Sequence, residues 1–307
     1  MTSDQGRIGD YSEETTGLLL GSAADLLRSF GLAFGGRHLA IVGGLVPTLK
    51  VPIPPTGVDP HPGTADLDLL LSIHLLDGET AQYYDSIVDG LTQLGMKPAR
   101  EDGHQRKWRW IGRLNGIRVT VEFLCPLRPD PKSVERPLKG TVAERNIAPD
   151  GRITAVPVTW GKLVFDDTEI HERRVRTSEG EVTFPFPVAG ITSWLCLKSD
   201  AMVNRAKTKD AFDVVWLIAA LSPEATAQMV ASSPLLSGIH REEVIIQLRL
   251  LVDDRFRDIE SVGPVSYALF HHAQGSDEPL TEDSARKRAA FGTMQALGNE
   301  LKKLSII

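Results

Sequence analysis

Apolar residues recur at helical spacing from Ser12 to about residue 35 (Leu18, Leu19, Ala23, Leu26, Leu27, Phe30). They predict an amphipathic helix started by Ser12 with Glu13 and Glu14. HLAIVGG (38–44) reads as a short buried strand running into two glycines. Residues 46–64 hold six prolines and predict nothing regular beyond one turn of helix. ADLDLLLSIHL (65–75) is an apolar strand interrupted only by two aspartates, and 78–96 is an amphipathic helix. KWRWIGRL (107–114) and IRVTVEFLCP (117–126) read as strands joined by Asn115-Gly116, a two-residue hairpin signal.

The pattern changes after Pro126. LRPDPKSVERPLKG is loop-like, and 152–186 suggests short strands such as VTWGKLVF and EVTFPF. From Pro187 onward the period is helical, over 187–205, 208–221, 240–257 and 282–304. This order predicts an α+β fold with three parts. Residues 1–12 are a disordered tail, 13–186 an α+β domain, and 187–307 a mainly helical domain.

Composition changes this picture little. Of 307 residues, 42% are hydrophobic and 24% charged, enough apolar material for a real core. The formal net charge of -6 excludes a global attraction to polyanions, so a nucleic-acid partner needs a local basic patch or bound cations. Two cysteines, Cys125 and Cys196, lie in apolar surroundings and exclude a disulfide framework. The polar N-terminus has no signal-peptide pattern, and no run approaches the roughly 18 apolar residues of a membrane span. A cytoplasmic protein with no membrane partner is the expectation.

The candidate chemistry sits in the strands. Residues two apart on a strand share a face, so Asp66 and Asp68 project together while Leu67 and Leu69 face the other layer. Two neighbouring carboxylates repel, and a hard divalent cation is the natural compensation. The bland alternative is a strand end where both meet water. Glu122 stands in the middle of the apolar RVTVEFLC, where an ionised side chain is rare unless paired. It completes a cation site, lies on a solvated sheet face, or pairs with Arg118 or Arg109. Gly43 and Gly44 follow the strand LAIV, and glycines there let backbone N–H groups approach phosphate oxygens. Gly63-Thr64, just before the aspartates, forms a second turn.

Gly43-Gly44, a loop, Gly63-Thr64-Ala65-Asp66-Leu67-Asp68, and Glu122 on a later strand together resemble the polymerase-β-type nucleotidyltransferase superfamily. Lys198 and the segment Arg205-Ala-Lys207-Thr-Lys209-Asp210-Ala-Phe-Asp213 are similar to the lysine helix and basic Asp-x-x-Asp segment of AbiEii-type members. Those members are the toxin halves of toxin–antitoxin and abortive-infection systems. The chain departs from the pattern in its long, proline-loaded spacer between Gly44 and Asp66, and in having Gly-Gly where Gly-Ser is frequent.

The resemblance implies a polymerase-β-like mixed sheet with flanking helices, followed by a helical domain. It implies transfer of a nucleoside monophosphate from a nucleoside triphosphate to an acceptor, with release of pyrophosphate. Asp66, Asp68 and Glu122 would bind Mg²⁺ (or Mn²⁺), and Gly43, Gly44, Thr64, Lys198 and Arg205 would contact the nucleotide. Lys198 and Asp213 would join the three acids as catalytic residues. The acceptor would be tRNA or another nucleic acid, and a cognate antitoxin would be a protein partner. HQRKWRW (104–110), with Trp108 and Trp110 between basic residues, could stack on bases or be an edge strand with one solvated face. Two other functions compete: transfer to a small, antibiotic-like hydroxyl compound, and a non-catalytic nucleotide- or protein-binding scaffold.

Overall fold

The computed structural model describes residues 13–30, 38–64, 66–72, 80–127, 144–147, 151–205, 207–272 and 284–307. The expected disordered tail 1–12, the end of the first predicted helix (31–35) and most of the loop after Pro126 lie outside them. In chain order the elements are α1 (Glu13–Ser29), β1 (Leu39–Val42), a 3-10 turn Gly43–Leu45, α2 (Val46–Lys50), β2 (Asp66–Leu71) and α3 (Thr80–Gln93). Then come β3 (Lys97–Glu101), β4 (His104–Leu114), β5 (Ile117–Pro126), β6 (Arg145–Asn146), β7 (Thr154–Val158), α4 (Gly161–Asp166), β8 (Thr168–Thr177) and β9 (Gly180–Ala189). The remainder is helical: α5 (Ile191–Asn204), α6 (Thr208–Leu221), α7 (Pro223–Ala231), α8 (Arg241–Arg249), α9 (Val262–His272) and α10 (Ser284–Lys303), with α8 prolonged by a π-helical segment Leu250–Arg255.

The chain divides into two compact units. The sheet unit comprises Glu14–Leu45 and Thr64–Ala189. Its strands run in the order β3-β4-β5-β2-β1-β9-β8, with β7 also paired to β5 and β6 to β7. β2–β5, β5–β7 and β1–β9 are parallel and the other pairs antiparallel, so the fold is α+β with a mixed sheet. One face is wholly apolar where β2 meets β5: Leu67, Leu69, Val119, Val121 and Phe123 are all fully buried. The hairpin signal is realised, since Asn115 and Gly116 both take positive φ (50° and 85°) between the paired Leu114 and Ile117.

The helical unit comprises Val46–Gly63 and Gly190–Ile307. The proline-rich stretch therefore belongs with the helices, a grouping that a linear reading of domains does not contain. Its regular structure is the single short helix α2, as six prolines require. At the centre lies α6, which is apolar nearly all round and packs against α5, α7, α9 and α10. No single helix among the described residues is long and apolar enough to cross a membrane.

Several elements differ from their sequence expectation. VTWGKLVF is the end of β7, a turn and α4 rather than a strand. Its alternation stops at Gly161, where a Cβ would come within 2.9 Å of Val158 and 3.1 Å of Leu70. TEIHERRVRT, within the stretch expected to hold short strands, forms β8, a charged edge strand with little apolar alternation. β3, α7 and α9 were not anticipated, and 187–189 end β9 rather than start a helix.

Candidate functional site

In the sheet unit, β2 and β5 run parallel with Asp66 opposite Thr120 and Asp68 opposite Glu122. In-register neighbours share a face, so Asp66, Asp68, Thr120 and Glu122 gather at one end of the face opposite the apolar layer. Farther along that face Leu70 and Leu124 are buried, and α4 roofs them through Gly161. The two aspartates are partly exposed, whereas Glu122 is only 7% exposed.

β1 is antiparallel to β2 with Val42 opposite Asp68, which brings Gly43 to the same end of the sheet. Gly43 has φ +74°, and a Cβ there would lie 1.8 Å from Asp68 Oδ2. No side chain fits, so glycine is demanded twice: by the backbone conformation and by the carboxylate against it. Gly44 is buried in the 3-10 turn that follows. The helix expected behind the glycines has five residues, too short to add a substantial dipole. Thr64 is buried, and its Oγ1 accepts the Asp66 N–H at 3.4 Å, fixing the entry to β2.

Arg109 stands directly across from Glu122 on β4. Its Nε lies 3.1 Å from Glu122 Oε1, yet that N–H is not aligned for a hydrogen bond. Its Nη1 donates to Glu101 Oε1 at 3.2 Å. Burial pulls the Arg109 pKa down, but the charges of Glu122, Asp66 and Glu101 outweigh it and hold the group above its ordinary value. Glu122 thus has a cationic neighbour, one of the two bland alternatives, while also sharing the aspartates' face. Among the described residues no three His, Cys, Asp or Glu side chains form a ready-made metal cage. The donor set nevertheless suits a hard divalent cation, since three carboxylates meet at one end of a face beside a turn with no side chain.

Lys198, Arg205 and Asp213 belong to the helical unit, where they form a second cluster. Lys198 Nζ donates to Asp210 Oδ1 (2.6 Å) and Asp213 Oδ2 (2.7 Å) and is 4% exposed. Lys209 Nζ donates to Asp213 Oδ1 at 2.7 Å, and Arg205 lies 3.6 Å from Asp210. Burial pushes the Lys198 pKa down, but Asp210 and Asp213 together reverse this and hold it above the usual range. Burial raises Asp210 and Asp213, but Lys198 together with Arg205 at Asp210, and together with Lys209 and His61 at Asp213, outweighs it, so both stay below the usual carboxylate range. The Lys198 ammonium, expected from sequence to reach a phosphate, is engaged by two buried carboxylates.

His61 completes this cluster and was missed, because nothing periodic marks a histidine between Pro60 and Pro62. Its Nδ1 accepts the Gly63 N–H at 3.0 Å, so the proton sits on Nε2, which donates to Asp213 Oδ1 at 3.1 Å. Trp216 packs edge-on against the ring at 4.8 Å and donates from Nε1 to the Asp59 carbonyl. Burial drives the His61 pKa down to about 4, against the smaller upward pull of Asp213.

The HQRKWRW strand is not a stacking platform. Trp108 and Trp110 are buried, Trp110 Nε1 donates to the Lys107 carbonyl, and Arg106 and Lys107 are engaged by Glu101, Glu144 and the Gly151 carbonyl. No protein-family model matches this chain, and no curated protein does either.

Proposed function

We propose that the chain is a metal-dependent nucleotidyltransferase of the polymerase-β-like kind, moving a nucleoside monophosphate from a triphosphate to an acceptor hydroxyl. The observation that carries this reading is the common face of Asp66, Asp68 and Glu122, with Gly43 closed against the Asp68 carboxylate. Asp66 and Asp68 would hold Mg²⁺ or Mn²⁺, with Glu122 completing the set. When bound, such an ion neutralises phosphate oxygens and polarises the phosphorus toward attack. Gly43 lets the Asp68 carboxylate lie directly against the turn that ends β1, and Thr64 fixes the start of the strand that presents the aspartates.

Lys198 and Asp213 act in this reading as a buried pair that fixes α5 to α6, not as groups that touch phosphate. Arg205 is paired with Asp210, so Lys207, exposed beside α6, is the basic residue of this segment open to a polyanion such as tRNA. A toxin role with a cognate antitoxin rests on the family resemblance alone. The burial of Trp108 and Trp110 favours a second reading, transfer to a small hydroxyl compound, because it removes the base-stacking strand.

The test is incubation with α-phosphate-labelled triphosphates, Mg²⁺ and total RNA, for the wild type and for Asp68→Asn. Label retained on RNA by the wild type alone supports nucleic-acid transfer. Pyrophosphate release that needs added small-molecule cell extract, with no label on RNA, points to the small acceptor. Absence of both, with every triphosphate, removes the reading.

A further inference from the structure

The contact between Arg109 and Glu122 is close in distance but poor in alignment. The guanidinium approaches Glu122 through an Nε–H that makes no hydrogen bond, while its Nη1 is properly donated to Glu101 on β3. A charge held by proximity rather than by directed hydrogen bonds is easily exchanged, because directed, charge-assisted bonds are the strong ones. Arg109 is also partly exposed, at 25% of its side chain, and its ring neighbour Trp108 lies 5.8 Å from the guanidinium carbon. The side chain therefore has a second carboxylate and an aromatic surface to rest on if it leaves Glu122.

We propose that Arg109 is a built-in counter-cation of the carboxylate face: it stands beside Glu122 in the metal-free protein and yields Glu122 to a divalent ion, swinging fully onto Glu101. This rests on the reading that Asp66, Asp68 and Glu122 bind a metal. It accounts for three carboxylates sharing one face of the sheet, since the positive charge of Arg109 offsets part of their repulsion. Arg109 is thus a positioning residue: it competes with the metal for Glu122, and Glu101 sets how strongly it competes.

Two substitutions shift that competition in opposite directions. Arg109→Met keeps the apolar stem and removes the charge, whereas Glu101→Gln weakens the alternative resting place at a partly exposed position. Mg²⁺ alone is titrated at constant ionic strength, following thermal midpoint and binding heat. Without Mg²⁺, Arg109→Met should melt below the wild type. With Mg²⁺ its midpoint should rise more steeply, and its Kd should be about threefold to fivefold tighter, the scale of one partly exposed charge contact. Glu101→Gln should bind Mg²⁺ more weakly than the wild type. An Mg²⁺ Kd unchanged in both variants, with the wild type still responding, would overturn the counter-cation role and leave the metal site standing. If the wild type and both variants all ignore Mg²⁺, the metal reading falls and the proposal with it. Should Arg109→Met fail to fold, the direction of the Glu101→Gln shift decides alone.

Discussion

Two charge clusters, one in each unit, differ in a way that separates architecture from chemistry. In the helical unit, Asp210 and Asp213 meet Lys198, Lys209 and Arg205, with His61 donating a further hydrogen bond, and the two aspartates and Lys198 are sealed from water. In the sheet unit, acids dominate: Asp66, Asp68 and Glu122 share a face, and Arg109 approaches without aligned geometry. A sealed and balanced cluster is a fastener, because moving or adding a charge there costs several kcal/mol. A partly open, acid-rich cluster has room for a cation and gains from it. The conspicuous lysine of α5 thus belongs to the fastener, and the aspartates of β2 to the open cluster on which the proposed function rests.

The largest expected effect comes from breaking the fastener. Lys198→Ala leaves two buried carboxylates without their main partner and should lower the unfolding free energy by about 3–5 kcal/mol, read by urea denaturation. A loss below about 1 kcal/mol would show that Lys198 is not structural.

Next is acid. His61 is held neutral in the fold, with its pKa lowered to about 4 from an ordinary 6.5. Between those values the unfolded chain binds the proton and the folded one does not. The stabilisation is therefore complete above about pH 6.5 and is lost as pH falls toward 4, by about 3 kcal/mol in total from this group. His61→Asn can still accept the Gly63 N–H, as an Asx turn, but does not titrate. Its stability should be flatter across that window, and an identical pH slope in both proteins would sink the assignment.

In the sheet unit the effects are smaller and of mixed sign. Gly43→Ala forces a Cβ into Asp68 at positive φ and should cost about 1–3 kcal/mol, with part recovered in the Asp68→Ala background. Full additivity of the two changes would deny the close approach. Asp66→Asn and Asp68→Asn should leave metal-free stability within about 0.5 kcal/mol of the wild type, or raise it as repulsion is relieved. A melting point that collapses on either change would make these aspartates structural.

The two clusters were not equally legible in the sequence. The shared face of Asp66, Asp68 and Glu122 follows from period-2 alternation once the strands are known, and both strands carry strong apolar signals. What alternation cannot reveal is which cation stands across the next strand, so Arg109 remained one alternative among two. Lys198 stands on an otherwise largely buried helix, but its partners are 12 and 15 residues away on another helix, a pairing that helical periodicity does not encode. His61 was invisible because its burial depends on a proline-rich loop folding back onto α6. Among the elements, α4 hid inside an apparent strand and β8 inside a charged stretch, both cases where packing overrode local pattern.

Counting bound Mn²⁺ by electron paramagnetic resonance, with a non-hydrolysable nucleoside triphosphate present, tests the central claim most directly. The wild type should take up Mn²⁺ with the nucleotide, Lys198→Met should still do so wherever it folds, and Asp66→Asn and Asp68→Asn should lose the bound ion. Undiminished Mn²⁺ uptake by the two aspartate variants would contradict the assignment of the metal to the β2 carboxylates.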